Sequence, residues 1–189
     1  MPQKQPDTPN LQFYPLTPER WADLEKLFRP RGACGGCWCM WWRLPRSQFM
    51  KQRGDENRKA LKNLVETGEV PGILAYAEDK PVGWCAVAPR EFYSALERYR
   101  ILKRVDDKPV WSIVCFFVAK SWRGIGVTIQ LLKAAVDYVK RHGGKIVEAI
   151  LSTLRRNESQ RRSPTLEWFQ CSARWAARKS FAVLKPAPS

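Results

Sequence analysis

The stretch from Val110 to Thr128 constrains the fold more than any other part of the chain. Val110 to Val118 is an apolar run carrying Trp111, Ile113, Val114, Phe116 and Phe117, long enough for a fully buried central strand. After a short crossing at Ala119 to Trp122, the segment Arg123-Gly124-Ile125-Gly126-Val127-Thr128 opens a helix that runs to His142 and stops at Gly143-Gly144. A buried strand that feeds a glycine turn at a helix N-terminus is an anion site by construction, because the first turn has unpaired N–H groups and the positive end of the helix dipole. Glycines let a phosphate come close, and Arg123 adds a planar cation able to fork two oxygens, so a diphosphate is the natural ligand. The plain alternative is a glycine turn that only joins a strand to a helix.

What is missing narrows the choice of diphosphate. No Lys-Ser or Lys-Thr follows the glycines, which excludes a nucleoside-triphosphatase P-loop, and no third glycine stands at the dinucleotide spacing, which excludes a Rossmann fingerprint. A dinucleotide fold would also place this turn after its first strand. Here other elements precede it.

Those elements can be read from their periods. Leu11 to Leu16 predicts a short strand, and Thr17 with Pro18 opens a helix whose apolar residues Trp21, Leu24, Leu27 and Phe28 share one face before Pro30 ends it. A loop from Arg31 to Pro45 follows. Next, the pattern predicts one long amphipathic helix from about Ser47 to Thr67, stopped by Gly68. Gly72 to Ala77 and Val82 to Ala88 then predict a hairpin turning at Glu78 to Pro81. Pro89 to Leu102 is a polar, helix-prone connection with Tyr93, Leu96 and Tyr99 at helical spacing, and Lys145 to Ile150 predicts a last strand. No internal repeat and no second domain is visible.

The order strand, helix, helix, hairpin, long buried strand, glycine turn, helix, strand resembles the GNAT N-acetyltransferase family over about residues 11–150. In that family the turn reads Arg or Gln, two residues, Gly, one residue, Gly or Ala; this chain supplies Arg123, Gly126 and Thr128. Thr128 departs from the pattern, and its side chain either crowds the pyrophosphate or joins the phosphate contacts through its hydroxyl. The resemblance implies an α/β fold with a mixed, mostly antiparallel sheet and helices on both faces. It also implies acetyl-CoA as co-substrate, bound by Arg123, Gly124, Ile125, Gly126, Val127 and Thr128. The pantetheine arm would pair with backbone groups of Phe117 and Val118, where the central strand splays from the next one. Direct acyl transfer to an amine needs a deprotonated amine, a carbonyl polarised by a strand N–H, and a protonated leaving thiolate. Val118 N–H is the donor expected to polarise the carbonyl. As base, Glu148 on the last strand and a water chain both stand. The family often uses a Tyr just past that strand as acid, and no Tyr occurs after Tyr138.

Composition adds the acceptor side. Nine tryptophans exceed what core filling usually requires, and Trp38, Trp41 and Trp42 go with the first two helices, which flank the acceptor pocket in the family. Three readings stand: an aromatic wall for an apolar or cationic amine, rings that cover the sheet edge, or a platform for stacking bases. The last belongs with a net charge of +15 from 33 basic and 18 acidic residues, which either keeps the surface soluble or draws a polyanion. A basic nucleic-acid-binding module is therefore the rival from another class, but the basic residues are scattered and no recognised nucleic-acid motif is present. Cys34, Cys37 and Cys39 have half a metal-knuckle spacing and lack a fourth ligand, so packing explains them more simply than zinc, and no metal is expected. No His or acid adjoins Cys39 to make it a nucleophile. Neither a leader-like apolar region nor an apolar run of membrane length occurs, so reduced thiols, a cytoplasmic location and no membrane partner are expected. A homodimer stays open.

Residues 1–10 are polar and Pro-rich and are expected to be disordered. Past Ile150 the sequence changes character: Leu154 to Arg162 is polar with four arginines, and Ser163 to Ser189 shows little periodicity. Three readings stand for residues 151–189: a diverged C-terminus, a basic tail for a partner, or a reading-frame slip. A permitted coding of Ile150 to Leu154, with one more T in front and the frame moved back, reads Tyr-Pro-Val-Asp-Pro. The same displacement at Leu166 to Ala176 gives an amphipathic helix ending in Gly. A slip would spare the pyrophosphate site and leave an inactive relic of the family.

Overall fold

The structure, a computed structural model, describes residues 10–150. The expectations for the polar start and for the arginine-rich tail, with its frame-slip reading, lie outside the described residues. Five strands form one sheet in the order β1-β2-β3-β4-β5. β1 (Gln12–Pro15), β2 (Gly72–Ala77), β3 (Lys80–Pro89) and β4 (Trp111–Val118) run antiparallel to their neighbours, while β5 (Val147–Ala149) joins β4 in parallel. A parallel pair needs a crossover. Here α4 (Val127–Arg141) supplies it.

β2 and β3 are buried on both faces. Leu74, Tyr76, Trp84 and Ala86 pack with α1 (Trp21–Phe28) and the loop after it, and Ile73, Ala75, Cys85 and Val87 pack with α4. Burial on both sides is why these strands read as near-continuous apolar runs. Gly83 on β3 lets α4 come close: a Cβ there would stand 2.9 Å from Leu131 Cδ1 and 3.2 Å from Val127 Cγ1. The first turn of α4 is thereby seated on the sheet.

β4 carries an irregularity that matters below. Ala86 pairs with Cys115 but the next residue, Val87, pairs with Ile113, so Val114 is an extra residue in β4. Such a bulge sends two successive side chains to one face. Val114 and Cys115 both belong to the α1 side, whereas Phe116 packs on the α4 side.

The single long helix expected from about Ser47 to Thr67 is two, α2 (Arg46–Lys51) and α3 (Asp55–Glu66). Gly54, at φ 91°, breaks them, and its N–H donates to Gly36 O at 2.9 Å. Asn57 Nδ2 and Arg53 Nε donate to Gly36 O and Gly35 O at 3.1 and 2.9 Å. The cysteine loop captures the chain at the point where a helix would have continued. Similarly, the connection after β3 forms three short 3₁₀ turns, Arg90–Phe92, Leu96–Arg98 and Arg100–Leu102, in place of a helix. Its groups bond across to the loop: Ala95 N–H to Trp42 O (3.0 Å), Ser94 Oγ to Arg43 O (3.1 Å) and Arg98 Nη2 to Leu44 O (2.8 Å).

Candidate active site

The glycine turn has the geometry of an anion cradle. Gly124 and Gly126 both have φ 85°, and a Cβ on either would meet nothing within 4 Å, so open space lies over the turn. Gly126 stands at the N-terminus of α4, and its carbonyl accepts from Ile129 N–H (3.0 Å) and Gln130 N–H (3.2 Å). Among the described residues, the backbone N–H groups of Gly124, Ile125, Gly126, Val127 and Thr128 have no backbone acceptor. These are the donors that a helix start leaves for a ligand. Ile125 and Val127 hold the turn down by packing into the α4-side core, while Thr128 is half-buried on the first turn. Arg123 is exposed and donates from Nε to Val118 O at 2.8 Å, which ties its guanidinium to the last carbonyl of β4.

The same arginine marks the open edge of β4. Ala119 N–H donates to Val82 O at 2.9 Å. Because backbone groups alternate along an antiparallel ladder, Phe117 also turns its N–H and C=O toward β3, and Phe116 and Val118 turn theirs away. The expectation for Phe117 is corrected here: the ladder with β3 uses its backbone, and the residues whose backbone groups face away from β3 are Phe116 and Val118. On the far side, Trp111 N–H donates to Ile146 O (3.0 Å) and Ile150 N–H to Ile113 O (2.8 Å). β5 ends at Ala149. Among the described residues, no strand covers β4 beyond that point, and the strand edge at Phe116 and Val118 leads directly to the turn.

Glu148 pairs opposite Ser112 on β4. Its Oε1 accepts from Ser112 Oγ at 2.5 Å and from Arg90 Nη1. Arg90 is buried and is the hub of this cluster, donating also to Leu102 O and, from Nε at 3.1 Å, to Glu97. Burial pushes the Glu97 carboxyl up, but hydrogen bonds from Arg90 and Arg104 and their charges hold it below the ordinary value. Glu148 is thus a structural ion pair that ties β5 to the 3₁₀ connection.

The three tryptophans separate. Trp38 is 2% exposed, stacked at 6.0 Å on Trp21 and tilted at 5.5 Å against Phe28. The acceptor-wall expectation is corrected for it: Trp38 fills the core under α1 and leaves no face for a ligand. Trp41 and Trp42 are half-buried, edge-on to Phe49 (5.2 Å) and to Tyr99 (5.7 Å). They remain at the boundary between loop and connection, where a wall can be built.

Cys37, Cys39, Cys85 and Cys115 are free thiols. Among the described residues, no group of three Cys, His, Asp or Glu side chains is arranged to hold a metal ion, and no helix is long and apolar enough to cross a membrane.

The family model described as the acetyltransferase (GNAT) family matches residues 38–162. This chain belongs to the GNAT acetyltransferase family. Similar GNAT-fold structures include the aminoglycoside acetyltransferase HMB0005 from an uncultured soil metagenomic sample, at 16% identity and TM-score 0.50 over 95% of this chain and 99% of that one. A second soil metagenomic aminoglycoside acetyltransferase, meta-AAC0020 in complex with sisomicin, matches at 16% identity and TM-score 0.46, over 94% and 97%. The aminoglycoside N-acetyltransferase AAC(6')-Iy in complex with CoA matches at 15% identity and TM-score 0.48, over 92% and 93%. At these identities the likeness is one of fold. No curated protein matches the sequence.

Sequence reasoning missed the open backbone edge at Phe116 and the side chains that engage Glu148. Phe116 went unassigned because the bulge at Val114 shifts the alternation by one residue, and no local signal marks a bulge in an apolar run. Arg90, Ser112 and Glu148 are far apart in sequence and meet only through the β4–β5 register. A basic residue just after a predicted strand was the one available hint for Arg90.

Proposed function

We propose that residues 11–150 form an acyl-CoA-dependent N-acetyltransferase domain that transfers an acetyl group from acetyl-CoA to a primary amine of a small molecule. The observation that carries this reading is the continuity between the open glycine turn and the uncovered edge of β4. A diphosphate at the N–H groups of residues 124–128 leads an extended, amide-bearing arm along Phe116 and Val118, where both N–H groups and the Phe116 carbonyl face away from β3 and suit it, the Val118 carbonyl being held by Arg123. Arg123 adds charge-assisted bonds at the mouth.

In this reading the amine attacks the thioester carbonyl, Val118 N–H stabilises the developing oxyanion, and the thiolate leaves with a proton. A water chain fits the removal of the amine proton better than Glu148. Protonating Glu148 would remove the negative charge that pairs with the buried Arg90. Trp41 and Trp42, beside the 3₁₀ connection, are the residues that would wall the acceptor.

The test is the melting temperature with and without acetyl-CoA. A ligand at about 100 times its dissociation constant adds roughly 2.7 kcal/mol to the folded state, so a rise is expected. Arg123→Ala, removing charged hydrogen bonds of about 1.5–3 kcal/mol, should weaken acetyl-CoA binding roughly ten- to a hundredfold. A well-folded protein whose melting point ignores acetyl-CoA would overturn the reading.

A further inference from the structure

Two thiols that lie 76 residues apart in sequence meet beside the bulge of β4. Cys39 Sγ and Cys115 Sγ are 3.7 Å apart, with the Cys39 thiol directed at Cys115. Their surroundings differ. Cys39 is 5% exposed and held from two sides: Trp84 Nε1 donates to its sulfur at 3.1 Å, and its own N–H donates to Cys37 Sγ at 3.2 Å. Cys115, next to the extra residue Val114, is half-buried and therefore the more accessible sulfur. The backbone at Trp38 and Cys39 has φ 44° and 55°, a left-handed conformation strained for side-chain-bearing residues. The loop around them contains Gly32, Gly35 and Gly36. The sulfurs would have to close by about 1.7 Å to reach the ~2.05 Å of a disulfide. Side-chain rotation with a small shift of this glycine-rich loop can supply such a movement.

We propose that Cys39 and Cys115 are a reversible oxidation site: a hydroperoxide converts the pair to a disulfide that ties the aromatic loop to the central strand, and a thiol reductant releases it. Cys115 Sγ attacks the peroxide oxygen, the O–O bond breaks, and the thiol proton leaves with the departing alkoxide or hydroxide, giving a sulfenic acid. Cys39 Sγ then attacks Cys115 Sγ. The S–S bond forms, the S–OH bond breaks, and the departing hydroxide takes the Cys39 proton as water. Each sulfur gives up one electron and the peroxide is reduced by two. Bonding to Cys115 and Cys37, with burial, raises the Cys39 thiol well above the usual range, so it resists the peroxide directly and serves as the resolving partner. The bond lands one residue before Phe116, at the edge assigned above to the coenzyme, and it fixes the segment that bears Trp41 and Trp42. The inference does not depend on the acetyl-CoA reading, because its readout is a covalent link.

The experiment treats the reduced, full-length, native chain with stoichiometric hydrogen peroxide, alkylates the remaining thiols, digests without reduction and identifies linked peptides by mass spectrometry with fragmentation. A Cys39–Cys115 link is expected as the main product, absent after dithiothreitol and retained in Cys37→Ser. In Cys39→Ser, Cys115 should instead accumulate as a sulfenic acid that dimedone traps. If both thiols of the unsubstituted chain are recovered alkylated, if Cys39 is joined to Cys37, or if dimedone labels Cys115 while Cys39 is intact, the proposal fails.

Discussion

Gly126 occupies φ 85° with open space where a side chain would start. An alanine there meets no neighbour, so its whole effect is backbone strain of about 1–2 kcal/mol. Gly126→Ala is expected to lower stability by that amount in urea melts and to weaken acetyl-CoA binding as the turn relaxes. A cost near zero would mean that the turn does not need its left-handed form. Trp38 makes the opposite case, because its environment is full. Its ring lies over Gly32, where a Cβ would stand 2.2 Å from Trp38 Nε1, and it packs on Trp21 and Phe28. Trp38→Ala should cost about 3–5 kcal/mol, measured by chemical denaturation, whereas truncating the half-buried Trp42 should cost less. Both residues read alike in the sequence, as rings in a loop. Only the chain's path placed one in the core and the other at its boundary.

At the scale of elements, the contact of α4 with β3 decides where the glycine turn stands. Gly83 leaves room for Leu131 and Val127, and a larger residue must push the start of α4 off the sheet. Gly83→Val is expected to cost about 1–3 kcal/mol by overpacking. It should also reduce acetyl-CoA affinity although it touches no ligand, which a titration of the folded variant would show. Local patterns fixed most of these elements. The buried strand, the glycine turn, α4 and the hairpin lie where their periods and stop signals place them, because each signal is carried by neighbours in sequence. The long helix was divided at Gly54 because carbonyls of the distant loop at Gly35 and Gly36 accept bonds there. The connection after β3, which is 3₁₀ and not helix, is likewise drawn to the loop: Trp42 O takes the backbone N–H of Ala95, and the side chains of Ser94 and Arg98 bond to Arg43 and Leu44.

For the whole molecule, buried thiols on both sides of β3 set an alkaline limit. Hydrogen bonds with Cys115 and Cys37, then burial, raise the Cys39 thiol well above its usual range, and burial does the same for Cys85. A group whose folded-state value is raised contributes stability that is complete below its unfolded value and is lost as the pH climbs toward the folded one. Stability should therefore fall above a pH of about 8.5 by roughly 1.4 kcal/mol per pH unit for each buried thiol in that window. Cys85→Ala should make the slope shallower. Equal slopes in urea melts from neutral to alkaline pH would contradict it.

The sequence by itself determined the pieces whose cause is local: a strand too apolar to be exposed, glycines that permit a left-handed turn, a helix start with unpaired N–H groups, and an arginine beside them. Those pieces already implied an anion site and the family's order of elements. Tertiary structure decided everything that depends on register and distance. The extra residue at Val114 turned Phe116, not Phe117, to the open edge, the β4–β5 pairing engaged Glu148 with Arg90 and Ser112, and the loop's path buried Trp38 and brought Cys39 to Cys115. The physical reason is common to all of them. A backbone hydrogen bond or ion pair between residues far apart is specified by how whole elements pack, and no short stretch of sequence carries that information.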